Sequence, residues 1–274
     1  MMAPSILLRT LLSIILLGLA ALAQAQSVPY GKNAAAGHYA TVRGVRLYYE
    51  TYGKGRPLLL LHGNSGSIGR FFKTIPFFEK RNRVIAVDSR AHGKSVDGGD
   101  SLSFEMMADD MAALLTELHI DSADVIGWSD GGIIALVLAM RHPQKVRRLV
   151  ATGANLWPDS TALLPSLWRD MEREYAQGRD SVYTDPAKRN ARKVFLLDYR
   201  HPHILTAALK AVKAPAFIIA GDRDLIVGEH TLAIYKNLPK AWLWIVPDCG
   251  HATLIDKADE FNRKVTEFLG QRQL

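Results

Sequence analysis

The sequence predicts an α/β fold: a mostly parallel β-sheet with helices on both faces. Three observations carry that expectation. Short, wholly apolar runs alternate with longer segments whose apolar residues recur at helical spacing. Those runs lack the polar alternation of a half-exposed strand, as strands buried on both faces should. The chain has 274 residues, 48% hydrophobic and 22% charged, which excludes a disordered or collagen-like chain and supplies the apolar surface one large core needs. No internal repeat or low-complexity segment interrupts it.

Met1 to Ala25 contain no acidic residue and one positive charge, Arg9. An apolar stretch from Leu11 to Ala23 leads into Ala23-Gln24-Ala25, the small-x-small pattern of a secretory cleavage site. That stretch falls short of the ~20 residues a membrane span needs. An uncleaved anchor over Ile6–Ala23 is the alternative; the expectation is a signal peptide over 1–25, a periplasmic or secreted mature chain over 26–274, and no stable membrane insertion after cleavage. The single cysteine, Cys249, excludes an intramolecular disulfide and any Cys-based zinc or iron–sulfur site. The net charge of +7 is scattered, with its densest runs at Arg141–Arg148 and Lys188–Lys193. Scattered charge describes a solvated surface rather than a phosphate track, so no nucleic-acid partner is expected.

Along the mature chain, Tyr39–Arg43 and Val45–Tyr52 around Gly44 read as a β-hairpin. Pro57–Leu61, Arg83–Val87, Ala123–Gly127, Val146–Thr152, Ala216–Ala220 and Trp242–Val246 read as buried strands. Met107, Met111, Leu114, Leu115 and Leu118 fall on one helical face, with Ser101 or Ser103 as its cap. Gly131–Met140 is an apolar helix, and a last helix carries Ala258, Phe261, Val265 and Phe268 on one side. From Trp157 to about His203 the alternation stops. Leu164, Leu167, Trp168, Met171 and Tyr175 form one helical stripe closed by Gly178, and Asp185-Pro186 opens a second helix. This reads as a helical cap inserted between two strands, with a longer helical crossover as the alternative.

Gly127-Trp128-Ser129-Asp130-Gly131 is G-x-S-x-G set between an apolar strand and an apolar helix. A sharp strand-to-helix turn there projects the Ser129 hydroxyl from the sheet, and the glycines remove side chains that would clash. The helix N-terminus favours the negative charge that develops beside it. A serine needs a base and an acid that orients the base. Candidates follow two later strands: Asp222 or Asp224 in Gly221-Asp222-Arg223-Asp224, and His251 in Asp248-Cys249-Gly250-His251. His62 and His92 read as loop braces, and His201 and His203 have too few partners for a metal site. Gly93-Lys94-Ser95 is not a P-loop, because position 88 is Asp88 where glycine is required. Gly63, Gly66 and Gly69 do not make G-x-G-x-x-G.

Leu61-His62-Gly63-Asn64, Asp88-Ser89-Arg90-Ala91-His92-Gly93-Lys94-Ser95, the G-x-S-x-G turn, Gly221-x-x-Asp224 and Gly250-His251 together resemble the α/β-hydrolase superfamily. Within it, Gly127–Gly132 followed by Gly153-Ala154-Asn155 is similar to valacyclovir hydrolase (biphenyl hydrolase-like) proteins and to exported bacterial esterases, including macrolide esterases. The resemblance implies the α/β-hydrolase fold, no cofactor and no metal, and the order Ser129, Asp224, His251 as nucleophile, acid and base. It favours Asp224 over Asp222, and it makes the backbone N–H groups of Asn64 and Asp130 the oxyanion hole. Ala91 departs from the glycine usual in that segment. The resemblance also implies that the Asp130 carboxylate pairs with an amine on the substrate; the alternative is an acid that merely suits a helix start. Trp157 and Trp168, with Tyr175, Tyr183, Phe195 and Tyr199, make the cap richer in aromatic rings than a solvated crossover needs, so they are expected at a bulky substrate.

The expected activity is therefore hydrolysis of a small-molecule carboxylic ester or lactone through an acyl-serine, with an amine-bearing ester or macrolide lactone as the finer expectation. Two alternatives use the same residues. One is a catalytically silent ligand-binding relative; the other is a cofactor-free perhydrolase or C–C hydrolase.

Overall fold

A computed structural model of the protein describes residues 28–270, so the leader expected over 1–25 lies outside the described residues. Eight strands form one sheet: β1 Gly37–Val42, β2 Val45–Tyr52, β3 Arg56–Leu61, β4 Asn82–Val87, β5 Ala123–Trp128, β6 Val146–Thr152, β7 Ala216–Gly221 and β8 Ala241–Val246. Their order is β1-β2-β4-β3-β5-β6-β7-β8. β1 and β2 pair antiparallel, as do β2 and β4, and all later pairings are parallel. β3 lies between β4 and β5, with Leu60 opposite Ala86 on one side and Ile126 on the other.

Helices cover both faces, which is why the central strands read as continuous apolar runs. Along β3, Leu59 and Leu61 belong to one core cluster and Leu58 and Leu60 to the other. The first cluster is closed by α2 (Phe104–Glu117) and α3 (Asp130–Arg141), through Met107, Leu114, Ile134 and Leu138. The second is closed by α1 (Ile75–Phe78) and α8 (Ala258–Gly270), through Phe78, Phe261, Val265 and Phe268. α2 is capped by Ser103, whose hydroxyl accepts the Met106 N–H at 3.1 Å. The basic run at 141–148 is tied down locally: Arg141 pairs with Asp109 and Arg147 with Asp124.

Between β6 and β7 stand two helices, α4 (Pro165–Gly178) and α5 (Pro186–Arg200), the latter capped by Asp185, which accepts the Lys188 N–H at 2.8 Å. A helix the sequence reading did not anticipate, α6 (Gly228–Asn237), joins β7 to β8. Its buried positions are His230, Thr231 and Ile234, a face too polar to register as an apolar stripe. A short α7 (Thr253–Asp256) precedes α8. Among the described residues, no helix is long and apolar enough to cross a membrane, and no group of three His, Cys, Asp or Glu side chains is placed to hold a metal ion.

Candidate active site

The strand ends β3, β5, β7 and β8 deliver the site residues to one edge of the sheet, the carboxyl end at which open α/β sheets present their crevice. Ser129 sits between β5 and α3 with φ 57° and ψ −121°, a conformation that non-glycine residues rarely adopt. The neighbouring fold imposes it. The Ser129 N–H donates to the Thr152 carbonyl of β6 at 2.8 Å, while the Ser129 carbonyl accepts from Gly132 at 2.8 Å and Ile133 at 3.1 Å. A side chain at Gly127 would run into the Gly131 carbonyl, and one at Gly131 into the Leu61 carbonyl of β3. The G-x-S-x-G spacing is therefore a packing requirement.

His251 follows β8. Its Nδ1–H donates to Asp224 Oδ1 at 2.6 Å, and its backbone carbonyl accepts the Trp128 Nε1–H at 2.9 Å. Gly153, with φ 63°, stands so close that a Cβ there would lie 2.6 Å from His251 Cε1. Asp224 is buried, and its carboxylate also accepts the backbone N–H groups of Ile226 (3.1 Å) and Gly221 (3.3 Å). Asp222, the other candidate, is exposed and accepts the N–H groups of Asp248 and Cys249, both at 3.0 Å. Those bonds hold the Asp222 carboxyl below the usual carboxylate range and brace the loop that carries His251. Cys249 is a buried free thiol, and burial pushes its pKa up.

The 88–95 segment is scaffold. Asp88 Oδ1 accepts the Ile68 N–H at 2.9 Å and Oδ2 the Lys94 N–H at 2.8 Å, while Arg90 forks onto Asp110 at 2.6 and 2.7 Å. His62 is neutral: it donates Nδ1–H to the Gly63 carbonyl at 2.7 Å, accepts the Ser89 N–H at Nε2, and burial lowers its pKa to about 4. Burial also lowers the pKa of His92, the imidazole of His62 adding to the effect. Ala91, where glycine is usual, has φ 65°.

Ser129 opens into a cavity of about 460 Å³. Asn64, Asp130 and His251 line it with Ser129, and Asp224 lies behind His251. The helices α4 and α5 form its roof, each through one stripe spaced i, i+4, i+7: Leu167, Met171 and Glu174 from α4, and Ala191, Phe195 and Asp198 from α5. Trp157 and Trp168, expected at the substrate, are not among the lining residues. Trp157 bonds Thr161 and packs edge-on to His230, with ring centroids 4.4 Å apart; Trp168 stacks on Tyr199. Aromatic richness singles these rings out, but Trp157 lies in the loop before α4, and on α4 helical phase turns Leu167 and Met171 rather than Trp168 to the cavity.

Among the described residues, the lining holds three carboxyls, Asp130, Glu174 and Asp198, and no Lys or Arg. Asp130 is buried and fixed by Asn64, whose Nδ2 donates to Asp130 Oδ2 at 3.0 Å and to the Val194 carbonyl of α5 at 3.2 Å. Burial, and then the repulsion and hydrogen bond of Asp130, hold the Asp198 carboxyl well above the usual range. The sequence reading missed Asp198 and Glu174, although Glu174 is the i+7 member of a stripe whose Leu167 and Met171 the apolar periodicity picks out.

Residues 56–192 match the alpha/beta hydrolase fold family. The serine hydrolase BPHL of Homo sapiens is 30% identical over 247 residues, covering 83% of this chain and 84% of that protein. The 2-hydroxy-6-oxononadienedioate/2-hydroxy-6-oxononatrienedioate hydrolase of Burkholderia vietnamiensis is 30% identical over 272 residues, covering 82% of this chain and 91% of its own length. Est816, described in its structure as an N-acyl homoserine lactone degrading enzyme, superposes with a TM-score of 0.68 at 25% identity over 84% of this chain and all of its own. With its eight-stranded sheet, its strained serine turn and its Asp–His pair, this chain belongs to the α/β-hydrolase family of hydrolytic enzymes.

Proposed function

We propose that this chain hydrolyses a carboxylic ester or lactone carrying a cationic amine, through an acyl-Ser129 intermediate. His251, held in one tautomer by Asp224, takes the Ser129 proton as Oγ attacks the carbonyl and returns it to the leaving alcohol. The backbone N–H groups of Asn64 and Asp130 receive the oxyanion beside the start of α3. A water then repeats the sequence on the acyl-enzyme and releases the acid.

One observation carries the substrate class: among the described residues, three carboxyls and no Lys or Arg line the cavity, in a chain whose net charge is +7. An anionic substrate entering it would lose hydration and meet only repulsion. The Burkholderia relative is named for dienedioates, which are dicarboxylates. The acid lining argues against that substrate class, and so against C–C cleavage of such a molecule. A cation on the substrate would instead be drawn to Asp130. The volume suits a drug-sized ligand, and a macrolide lactone with an amino sugar belongs to the class. The apolar leader and its small-x-small end support export to the periplasm or beyond.

The test is kcat/KM on matched esters that differ only in an ammonium, a neutral or a carboxylate group. The expected order is ammonium, neutral, carboxylate. Asp130→Asn is expected to cost at least tenfold more on the ammonium ester than on the neutral one. Equal losses on both would remove the amine reading and leave Asp130 as a helix-start residue.

A further inference from the structure

Asn64 stands where three parts of the molecule meet. It lies in the turn after β3, where the Gly66 N–H donates to the Gly63 carbonyl at 3.1 Å and Ser65 takes φ 52°. The same carbonyl accepts the His62 Nδ1–H at 2.7 Å. A carbonyl and the N–H that follows it share one plane, so these two bonds aim the Asn64 N–H. A Cβ at Gly63 would lie 2.9 Å from that of Ser129, which sets this peptide against the nucleophile. The side chain of Asn64 is engaged as fully as its backbone. Its Oδ1 accepts the Ser65 hydroxyl at 2.9 Å, which fixes the way the amide faces. Its Nδ2 has two protons to donate and two acceptors in different layers. One is Asp130 Oδ2 at 3.0 Å, in the serine turn; the other is the Val194 carbonyl at 3.2 Å, in the roof helix α5. Val194 belongs to the buried core cluster, and its neighbour Lys193 donates to Asp97 at 2.6 Å. The amide therefore grips α5 at its anchored side.

Resting on the acyl-serine reading above, we infer that the Asn64 side chain is a positioning residue through which the seat of the roof helix sets the oxyanion hole. The hole consists of two N–H groups, those of Asn64 and Asp130. A single amide joins those two residues to each other and both to α5. With α5 seated, the two donors converge beside Ser129. With α5 displaced, the tie to Val194 pulls on the residue that carries one donor and braces the other. Fit of a substrate against the roof is thereby read at the reacting carbonyl. A substrate whose bulk lifts α5 binds but turns over slowly, since a misplacement of about 1 Å costs on the order of 10²-fold in rate. The tie acts on the charge that develops in the transition state, so it belongs to kcat rather than to KM.

The experiment follows p-nitrophenyl butyrate hydrolysis by the full chain and its inhibition by phenylboronic acid. Neither compound carries an amine, so recognition of a cation plays no part. The boron adds the Ser129 oxygen and becomes a tetrahedral anion, with an oxygen where the hole receives it. Asn64→Ala, and Asn64→Leu, which fills the space of the amide without a donor, are expected to lower kcat and boronate affinity together. The expected loss is about tenfold or more, against a KM change of less than about threefold. Lys193→Met removes the adjacent roof tie at a residue that does not line the cavity. Alone it is expected to weaken the boronate severalfold, and in the Asn64→Ala background to add nothing further. Losses that multiply across the two substitutions would overturn the coupling, as would Asn64 variants that shift KM and boronate affinity equally. If the Asn64 variants fail to fold, Lys193→Met decides alone: an unchanged boronate affinity overturns the inference. A wild-type chain that neither hydrolyses the ester nor binds the boronate would remove the serine reading and this inference together.

Discussion

Leu58–Leu61 in β3 are wholly buried, as are Leu136 and Leu138 in α3, whereas α4 buries only Gly178 and α5 only Lys193, Val194 and Leu197. The sheet layer is held by area removed from water, at about 25 cal/mol per Å², and by packing from both faces. The two-helix roof is held by directional ties. Lys193 donates to Asp97 at 2.6 Å and to the Gly99 carbonyl at 2.7 Å, Asn190 to the Ala91 carbonyl at 2.8 Å, and Asn64 to the Val194 carbonyl. Its aromatic rings stack at its surface, Tyr199 lying between Trp168 and Tyr175 at 5.2 and 4.3 Å. The contrast assigns the two layers different work. Ser129, Asp130, Asp224 and His251 stand on the layer packed from both faces, whereas Leu167, Met171, Ala191 and Phe195 stand on a roof that can be re-lined without opening the core.

Five measurements sharpen or break that division, in decreasing order of effect. Ser129→Ala is expected to lower kcat by several orders of magnitude with Tm retained, since the three groups act as a unit; turnover above about a tenth of wild type would remove the serine mechanism. Asp224→Asn is expected to cost on the order of 10⁴-fold in kcat, as loss of the orienting acid does in a Ser-His-Asp protease. Asp222→Asn is expected to cost far less, because Asp222 braces two backbone amides and does not touch the imidazole. Reversal of that ranking would return the role to Asp222.

Leu60→Ala, at the centre of the sheet, is expected to lower stability by about 2–5 kcal/mol in chemical denaturation. Phe195→Ala, on the roof, is expected to change KM and substrate preference more than Tm. A roof substitution as costly in stability as the core one would dissolve the comparison.

The fourth measurement is Tm against pH. Burial lowers His62 and His230 to about 4, against 6.5 in the unfolded chain, so the unfolded chain binds more protons between those values. Stability is then full above about pH 6.5 and is lost as the pH falls toward 4. Phe195→Ala should move the whole curve without changing its shape, since neither histidine is in the roof. The smallest effect belongs to Ala91→Gly. A left-handed alanine costs roughly 1 kcal/mol relative to glycine, so the substitution should raise stability by about that amount.

Much of this was legible in the chain itself. Val146–Thr152 ends in the structure where its apolar run ends, and Ser103 rather than Ser101 proved to be the cap of α2. The turn at Ser129 could be read because each glycine answers a backbone contact one residue could not vary. The spacing alone left Asp222 and Asp224 open; the 2.6 Å bond to His251 separates them. α6 was not legible, because His230 and Thr231 are buried through a hydrogen bond to the Leu156 N–H and through packing, not through apolar periodicity. The roof was legible as helices but not as a lining. Which of its residues face Ser129 depends on helix rotation, and that is set by polar ties such as Lys193 to Asp97, made between segments far apart in sequence.

The backbone at Ser129 has a consequence for when the protein becomes an enzyme. Its φ of 57° is imposed by Thr152 of β6, by Leu61 of β3 against Gly131, and by the first turn of α3. Thr152 and Leu61 are not beside Ser129 in a chain that has not yet assembled its central strands. A chain without β3 and β6 in place therefore carries the serine but not the contacts that hold its backbone in that conformation. The geometry of the serine turn is thus tied to completion of the sheet.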